Sequence, residues 1–433
     1  MEEPEDWKLL LASARQEIST LKADPRFKPT DGKRGEALHR HVLDLIGAAE
    51  RRMTLEPSED APQPVKDSFG RSLRESIMVL RAAHAAMPWL AAIDTPSINL
   101  GSLYLAEECA EVIVSRDVDL AVLPDAEFMY STISWPFRKG IGKTPGFEPK
   151  TKRRPIVLNY PLRDSDRLLL HALFAHELGH SSVDEHGFAL AVEEALDEDG
   201  EFTDALEAVV KAMRGGKWSA SSESTITGTL RGWLRCWVEE LLCDHLALAA
   251  MGPAYLWAFA GFVLPLSYAD ASPRYPPNTL RVKLALELLS RTDWGDYMTG
   301  VAPGITSWLD GATSRAGGSL PPPYDFLAEQ VGRRRDLLQD IALAKLGSSV
   351  LDPSTAAGEA AEAAELLERL ILPMGETRPL PTRSIALGGW QEAFRRHGDD
   401  PEGLVRALDD PELQDLLGKA IEMTAVVTAW KEQ

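Results

Sequence analysis

The sequence predicts a predominantly helical α+β protein, because helical periodicity runs through most of the chain and strand patterns are confined to one stretch. In the first part of the chain, apolar residues at spacings of three and four predict helices over residues 5–22, 34–54, 68–92 and 103–114. Short runs of β-branched and aromatic residues, bounded by Pro and Asp, then predict strands over residues 118–123, 128–133 and 155–160. We therefore expect a small sheet within a mostly helical protein.

Helical patterning resumes after the strands and continues toward the end of the sequence. The helices predicted there cover residues 165–182, 187–213, 224–250, 254–266, 278–291, 324–346 and 355–371. Asp400 and Asp410 each precede a proline, and an aspartate N-cap followed by proline at the first helical position predicts two successive helix starts. We divide the chain into a helical N-terminal lobe over residues 1–95, a core over residues 96–300 and a helical C-terminal extension over residues 301–433.

The composition is that of an ordinary globular protein. Hydrophobic residues make up 44% of the 433 positions and charged residues 26%, which excludes wholesale disorder and disulfide-scaffold classes. The 46 Lys and Arg against 66 Asp and Glu leave a net charge of −20, so nucleic acid is not expected as the main partner. Three cysteines without CxxC spacing, and an acidic start with no apolar leader, predict a reducing, cytoplasmic location.

One uncharged stretch, Leu246–Ala269, is long enough to cross a bilayer. It contains Gly252 and two prolines, Pro253 and Pro265, and it directly follows acidic residues that we assign to a site inside the protein. We therefore expect a buried pair of helices here rather than a membrane span.

The segment that carries chemistry is His171-Ala-Leu-Phe-Ala-His176-Glu177-Leu178-Gly179-His180, which contains HExxH within a predicted helix. Positions four apart lie one turn above each other, so His176 and His180 present two imidazoles to one point. Zinc binds imidazole nitrogen and leaves room for water in catalytic sites. Glu177 is then placed to take a proton from that water, whereas His171, five residues before His176, is predicted to pack in the core.

A third metal ligand is needed, and the sequence offers two. In the helix predicted over residues 224–250, Glu240 and Asp244 share one face, so Glu240 is predicted as the ligand and Asp244 as the acceptor for the outer ring N–H of His176. The alternative ligand is His186, at the spacing of HExxHxxGxxH, although Val183 stands where that pattern has Gly. Glu239 is disfavoured as a ligand because it points about 100° away from the face of Asp244.

Together, the HExxH and ExxxD segments resemble the gluzincin class of zinc metallopeptidases. The long insert between them and the later segment from Ser272 to Arg281 are similar to the peptidase group that includes the CAAX prenyl proteases, although Tyr275 stands where that group has His. The resemblance covers about residues 150 to 290. It implies a zincin-like core with a small, mainly antiparallel sheet, and a Zn²⁺ cofactor held by His176, His180 and Glu240.

The resemblance also implies peptide hydrolysis, with Glu177 activating a zinc-bound water and Asp244 supporting His176. A donor for the oxyanion is still required, and Tyr275 and His245 are the two candidates. Packing on the neighbouring prolines is an equally good interpretation of Tyr275, and a structural role is the alternative for His245. The expected partner is a protein or peptide substrate, and the helical lobes suggest a regulatory partner.

Two features ahead of the HExxH helix bear on substrate binding. The strand predicted over residues 155–160 occupies the position of the edge strand in zincins, where an extended peptide adds by main-chain pairing, or it is a central strand with no free edge. The basic stretch over residues 138–154 is either a solvated loop or a surface for an acidic substrate segment. The alternative to a peptidase is an inactive zincin-like scaffold that acts as a binding or regulatory protein.

Overall fold

A computed structural model describes most of the chain and shows a predominantly helical α+β fold with one three-stranded sheet, as the sequence predicts. The described residues are 7–24, 33–85, 99–115, 117–125, 130–133, 154–197, 199–215, 222–263, 271–315, 320–372 and 379–431. The basic stretch, apart from its last residue, lies outside them. The chain forms two compact units. Their boundaries differ from those of the three regions expected from the sequence, and the division into three regions stays a prediction.

The sheet unit comprises Met1–Ile98 and Arg116–Leu162. Its helices are α1 Trp7–Ala23, α2 Lys33–Met53 and α3 Gln63–Ala85, and its strands are β1 Val118–Asp125, β2 Ser131–Ile133 and β3 Arg154–Pro161. Buried residues recur along α1 at spacings of three and four, and they join a core to which α2, α3 and the sheet contribute. The aromatic rings of Trp7 and Phe69 meet edge to face in this core.

The sheet is mixed, which corrects the expectation of a mainly antiparallel one. Its strand order is β1-β3-β2, with β1 parallel to β3 over eight residue pairs and β2 antiparallel to β3 over three. The strand over residues 155–160 is therefore the central strand, and the expectation of an edge strand there is wrong. Ile156, Val157 and Leu158 are all fully buried, and such an unbroken apolar run is typical of a strand covered on both faces.

The helical unit comprises Asn99–Ser115 and Arg163–Gln433. Its longest helix among the described residues, Glu223–Met251, carries buried residues along most of its length. Its helices are α4 Leu100–Ile113, α5 Phe174–His186, α6 Phe188–Asp197, α7 Gly200–Arg214, α8 Glu223–Met251, α9 Pro253–Val263, α10 Asn278–Ser290, α11 Trp294–Val301, α12 Pro303–Arg315, α13 Pro322–Arg333, α14 Arg335–Leu346, α15 Pro353–Glu368, α16 Thr382–His397, α17 Pro401–Leu408 and α18 Pro411–Lys431.

The helix that carries HExxH begins later than the sequence predicts. Two 3₁₀ turns, Leu162–Asp164 and Leu168–Leu173, precede it, and regular α-helix starts at Phe174. Tertiary contacts account for the difference, because the backbone N–H of Leu169 donates to the side chain of Gln414 and the His171 imidazole donates to the carbonyl of Asp164. The predicted aspartate caps of α17 and α18 are confirmed, since each carboxylate accepts a backbone N–H three residues on.

Of the uncharged stretch that begins at Leu246, the residues that the structure describes form the end of α8 and all of α9. The two helices meet at Gly252, whose positive φ of 56° is a backbone angle that glycine adopts without strain. Almost every residue of α9 is buried within the helical unit. In the part of the chain that the structure describes, no helix meets the length and apolarity that a bilayer crossing requires.

We predict that His171 makes the fold sensitive to acid. Burial lowers the pKa of His171 from 6.5 to about 3, although its hydrogen bond to Asp164 opposes the shift. At pH 5 the unfolded chain binds this proton and the folded chain does not, so lowering the pH from 7 to 5 should reduce the free energy of unfolding by about 2 kcal/mol through this group. Urea unfolding at both pH values, on wild type and His171→Gln, measures it. An equal loss in the two proteins would contradict the assignment.

Candidate metal centre

The site depends on the close approach of α5 and α8. Gly179, the glycine within HExxH, faces Cys243 of α8, and a Cβ at position 179 would lie only 3.0 Å from the Cys243 Cα. A Cβ there would be packed more tightly than most, so the two helices would have to move apart by a few tenths of an ångström, and glycine allows the close approach without that shift. The close approach brings the histidines of α5 to the carboxylates of α8.

His176, His180 and Glu240 form a group that could hold a metal ion, since one ligand atom from each lies within 4.8 Å of the others. The Nε2 atom of His176 is 3.4 Å from one oxygen of Glu240, and Nε2 of His180 is 3.6 Å from the other. Two ligands of a tetrahedral zinc ion, each about 2.0–2.1 Å from it, are about 3.3–3.4 Å apart. The spacing and the nitrogen and oxygen donors therefore fit zinc.

Each imidazole also contacts a carboxylate of α8 through Nδ1, the ring nitrogen that does not face Glu240. Nδ1 of His176 lies 2.9 Å from an oxygen of Asp244, and Nδ1 of His180 lies 3.1 Å from an oxygen of Glu239. An N–H at Nδ1 that donates to a carboxylate leaves the Nε2 lone pair for a metal. Both Nε2 atoms face Glu240, and the two rings stand at 89° to each other.

Asp244 is itself held by two further buried side chains. Arg281 donates to it through Nε at 2.8 Å and Nη2 at 2.6 Å, and the hydroxyl of Tyr255 donates to the same carboxylate. The Arg281 guanidinium also covers the ring of Phe259, 4.5 Å from its centroid. Tyr255 was not predicted, because it stands in an apolar stretch with no motif to mark it. Arg281 ends the segment that resembles the one in which the CAAX prenyl protease group has an Arg closing the site, but its contact with Asp244 was not predicted.

The buried charges of the site compensate one another. Burial alone would lower the pKa of His176, but the hydrogen bonds and charges of Asp244 and Glu240 raise it to about 9. Burial would raise the pKa of Glu240, yet the hydrogen bond from His176 and the charge of Arg281 bring it down to about 2. Arg281 and His176 likewise hold the pKa of Asp244 far below its usual value. Both carboxylates are therefore anionic at neutral pH.

Glu177 and Tyr275 lie beside this group. Glu177 follows His176 in the first turn of α5 and is half-buried. Burial alone would lower the pKa of His180, but the hydrogen bond with Glu239 and the charge of Glu240 raise it, and the charge of Glu177 adds to the rise. Tyr275 is 40% exposed, and its pKa is raised by burial and then by the charges of Glu240 and Glu177. Its hydroxyl therefore stays protonated at neutral pH and can donate a hydrogen bond.

The other two histidine candidates make different contacts. His186 donates from Nδ1 to the carbonyl of Ser182 at 2.9 Å, and its Nε2 lies 3.5 Å from Nζ of Lys345. It is not a member of the metal-binding group found in the described residues. His245 donates from Nδ1 to the carbonyl of Leu241 at 2.6 Å and lines a mostly apolar cavity of about 100 Å³ formed with α10, α11, α14 and the start of α15.

Comparisons with known proteins identify no relative. No family model matches the sequence, and neither the curated proteins nor the solved structures that were searched include a match. The gluzincin resemblance therefore depends on the residues of the two motifs.

We predict that Gly179→Ala weakens the metal site. The new Cβ would lie 3.0 Å from the Cys243 Cα, so α5 and α8 would have to give by a few tenths of an ångström. We expect this to cost about 1–3 kcal/mol of stability and to shift the candidate ligands, so zinc affinity should fall by about tenfold. The matched control is Gly228→Ala in α8, where a Cβ meets no atom within 4 Å. The control should keep wild-type affinity and gain up to about 1 kcal/mol from helix propensity. Zinc titration and urea unfolding report both effects, and equal affinities would contradict the prediction.

Proposed function

We propose that the protein is a zinc-dependent peptidase that hydrolyses peptide bonds of a protein or peptide substrate. The observation that carries the proposal is the convergence of His176, His180 and Glu240, with Glu177 next to His176 in the first turn of α5. Three protein ligands leave part of a tetrahedral coordination shell for water and substrate, which distinguishes catalytic from structural zinc sites.

The chain's own groups supply the proton transfers. When bound, zinc would polarise the substrate carbonyl and lower the pKa of a water molecule toward neutrality. Glu177 accepts the proton of the attacking water as its oxygen bonds to the carbonyl carbon, and donates that proton to the amide nitrogen as the C–N bond breaks. Atoms and charge balance, since one water is consumed and one amine and one carboxylic group are formed.

Tyr275 is our choice as the oxyanion donor. Its phenol is partly exposed, and after burial the charges of Glu240 and Glu177 contribute to its raised pKa, so it stays protonated and can donate. His245, the second candidate from the sequence, donates its Nδ1–H to the carbonyl of Leu241 and lines a separate cavity. We therefore assign His245 a structural role.

The proposed partner class and cellular location follow from the composition of the sequence. The acidic net charge argues for a polypeptide partner rather than a nucleic acid, and the cysteine usage argues for the cytoplasm. The helical segments outside the motif-bearing helices are the proposed contact for a regulatory partner. The competing function is an inactive scaffold that binds zinc and cleaves nothing.

We predict that Glu177→Gln separates metal binding from hydrolysis. The variant removes the base and keeps all three proposed ligands, so it should bind one zinc per chain while cleavage of an unstructured polypeptide such as casein falls by about 10²–10⁴-fold. The matched control, Glu185→Gln, changes an exposed glutamate on the same helix and should retain wild-type activity. His180→Ala should lose both zinc and activity. Metal analysis and a peptidase assay on the same preparations give the answer.

Two results would overturn the proposed function. Equal activity of wild type and Glu177→Gln would remove Glu177 from the mechanism. Zinc-loaded wild type that cleaves neither casein nor a peptide library would identify the protein as a scaffold.

A further inference from the structure

The two histidines of the site differ in their surroundings. The side chain of His176 is 9% exposed and that of its carboxylate partner Asp244 is 5% exposed. The side chain of His180 is 26% exposed and that of its partner Glu239 is 34% exposed. The site therefore has an inner arm, His176 with Asp244, and an outer arm, His180 with Glu239, which opens toward solvent.

The inner arm is fixed by several groups. Asp244 accepts two hydrogen bonds from Arg281 and one from Tyr255, and both of these side chains are buried. The imidazole of His176 has little freedom to rotate, because its carboxylate partner cannot move without breaking these bonds.

The outer arm depends on one contact. Among the described residues, the Glu239 carboxylate accepts a hydrogen bond from Nδ1 of His180, at 3.1 Å. Glu239 and Glu240 are consecutive on α8, so one points to the Nε2 atoms and the other, about 100° around the helix, reaches the outer nitrogen of His180.

We propose that Glu239 is the positioning residue for His180 and that it controls how fast the metal leaves the site. Its carboxylate holds His180 in the Nδ1–H tautomer and aims Nε2 at the metal position, and losing it frees the exposed imidazole to rotate away. Release then begins at the outer arm, since His176 is held by buried partners. This inference rests on the proposed zinc site but not on the peptidase reaction.

The experiment measures zinc release from the loaded full-length protein into excess chromogenic chelator by stopped flow. Losing an outer partner of a ligand histidine usually lowers metal affinity by about 10–100-fold, and we expect Glu239→Ala to express that loss as faster release. Glu239→Gln should speed it less, because the amide oxygen still accepts from His180 but without the charge. The matched control is Glu223→Gln, which removes the same charge from the exposed start of α8 and should release zinc at the wild-type rate.

The visible absorption of the Co²⁺-loaded proteins provides a second readout, which does not depend on the overall stability of the fold. Glu239→Ala should change the ligand-field bands, because His180 no longer holds a fixed orientation, and Glu223→Gln should not. Circular dichroism establishes that each variant is folded, and if Glu239→Ala fails to fold, Glu239→Gln carries the test alone.

The outcomes separate this inference from the proposed function. If wild type binds no zinc, the metal centre itself is refuted and both proposals fall. If wild type binds zinc and the Glu239 variants release it at the rate of Glu223→Gln, only the role of Glu239 is refuted. A graded series of wild type, Gln and Ala supports that role even if the protein hydrolyses no peptide.

Discussion

The candidate site depends on buried charges that are compensated by their neighbours. Glu240 and Asp244 are carboxylates inside the helical unit, where an unpaired charge would cost several kcal/mol. The compensation comes from Arg281, Tyr255 and the imidazole of His176, and it requires α5 and α8 to approach until Gly179 meets Cys243. The packing of the two helices and the electrostatics of the site therefore depend on each other, because separating the helices would leave buried charges without their partners.

The helices were largely predictable from sequence, but the pairing of the strands was not. Periodicity locates α1, α2 and α8 within a few residues, because each buries one face or runs through the core. It missed α11, α12 and α16, which are stabilised by packing against other helices. Strand order depends on which segments meet in three dimensions, and a local pattern over residues 155–160 does not distinguish an edge strand from a central one.

For the site, the sequence indicated the side chains that helical geometry relates and missed those that tertiary packing supplies. A spacing of four placed His176 with His180, and Glu240 with Asp244, and the structure brings these four residues together. The 100° offset that disfavours Glu239 as a ligand is the same offset that carries its carboxylate to the outer nitrogen of His180. Tyr255 and Arg281 arrive from other helices, so no local spacing reveals them.

Arg281 needs a separate argument, because a guanidinium 3.6 Å from Glu240 opposes a cation bound there. Its Nε and Nη2 atoms donate at 2.8 and 2.6 Å to Asp244, which therefore neutralises most of its charge. That leaves Glu240, Glu239 and Glu177 as three further carboxylates whose charges act on the two histidines. A metal ion would replace the proton that the raised pKa keeps on His176. With both imidazoles then neutral, four carboxylates against one guanidinium give a local charge of −3, and a divalent cation brings it to −1, so the site can accommodate a metal even with Arg281 present.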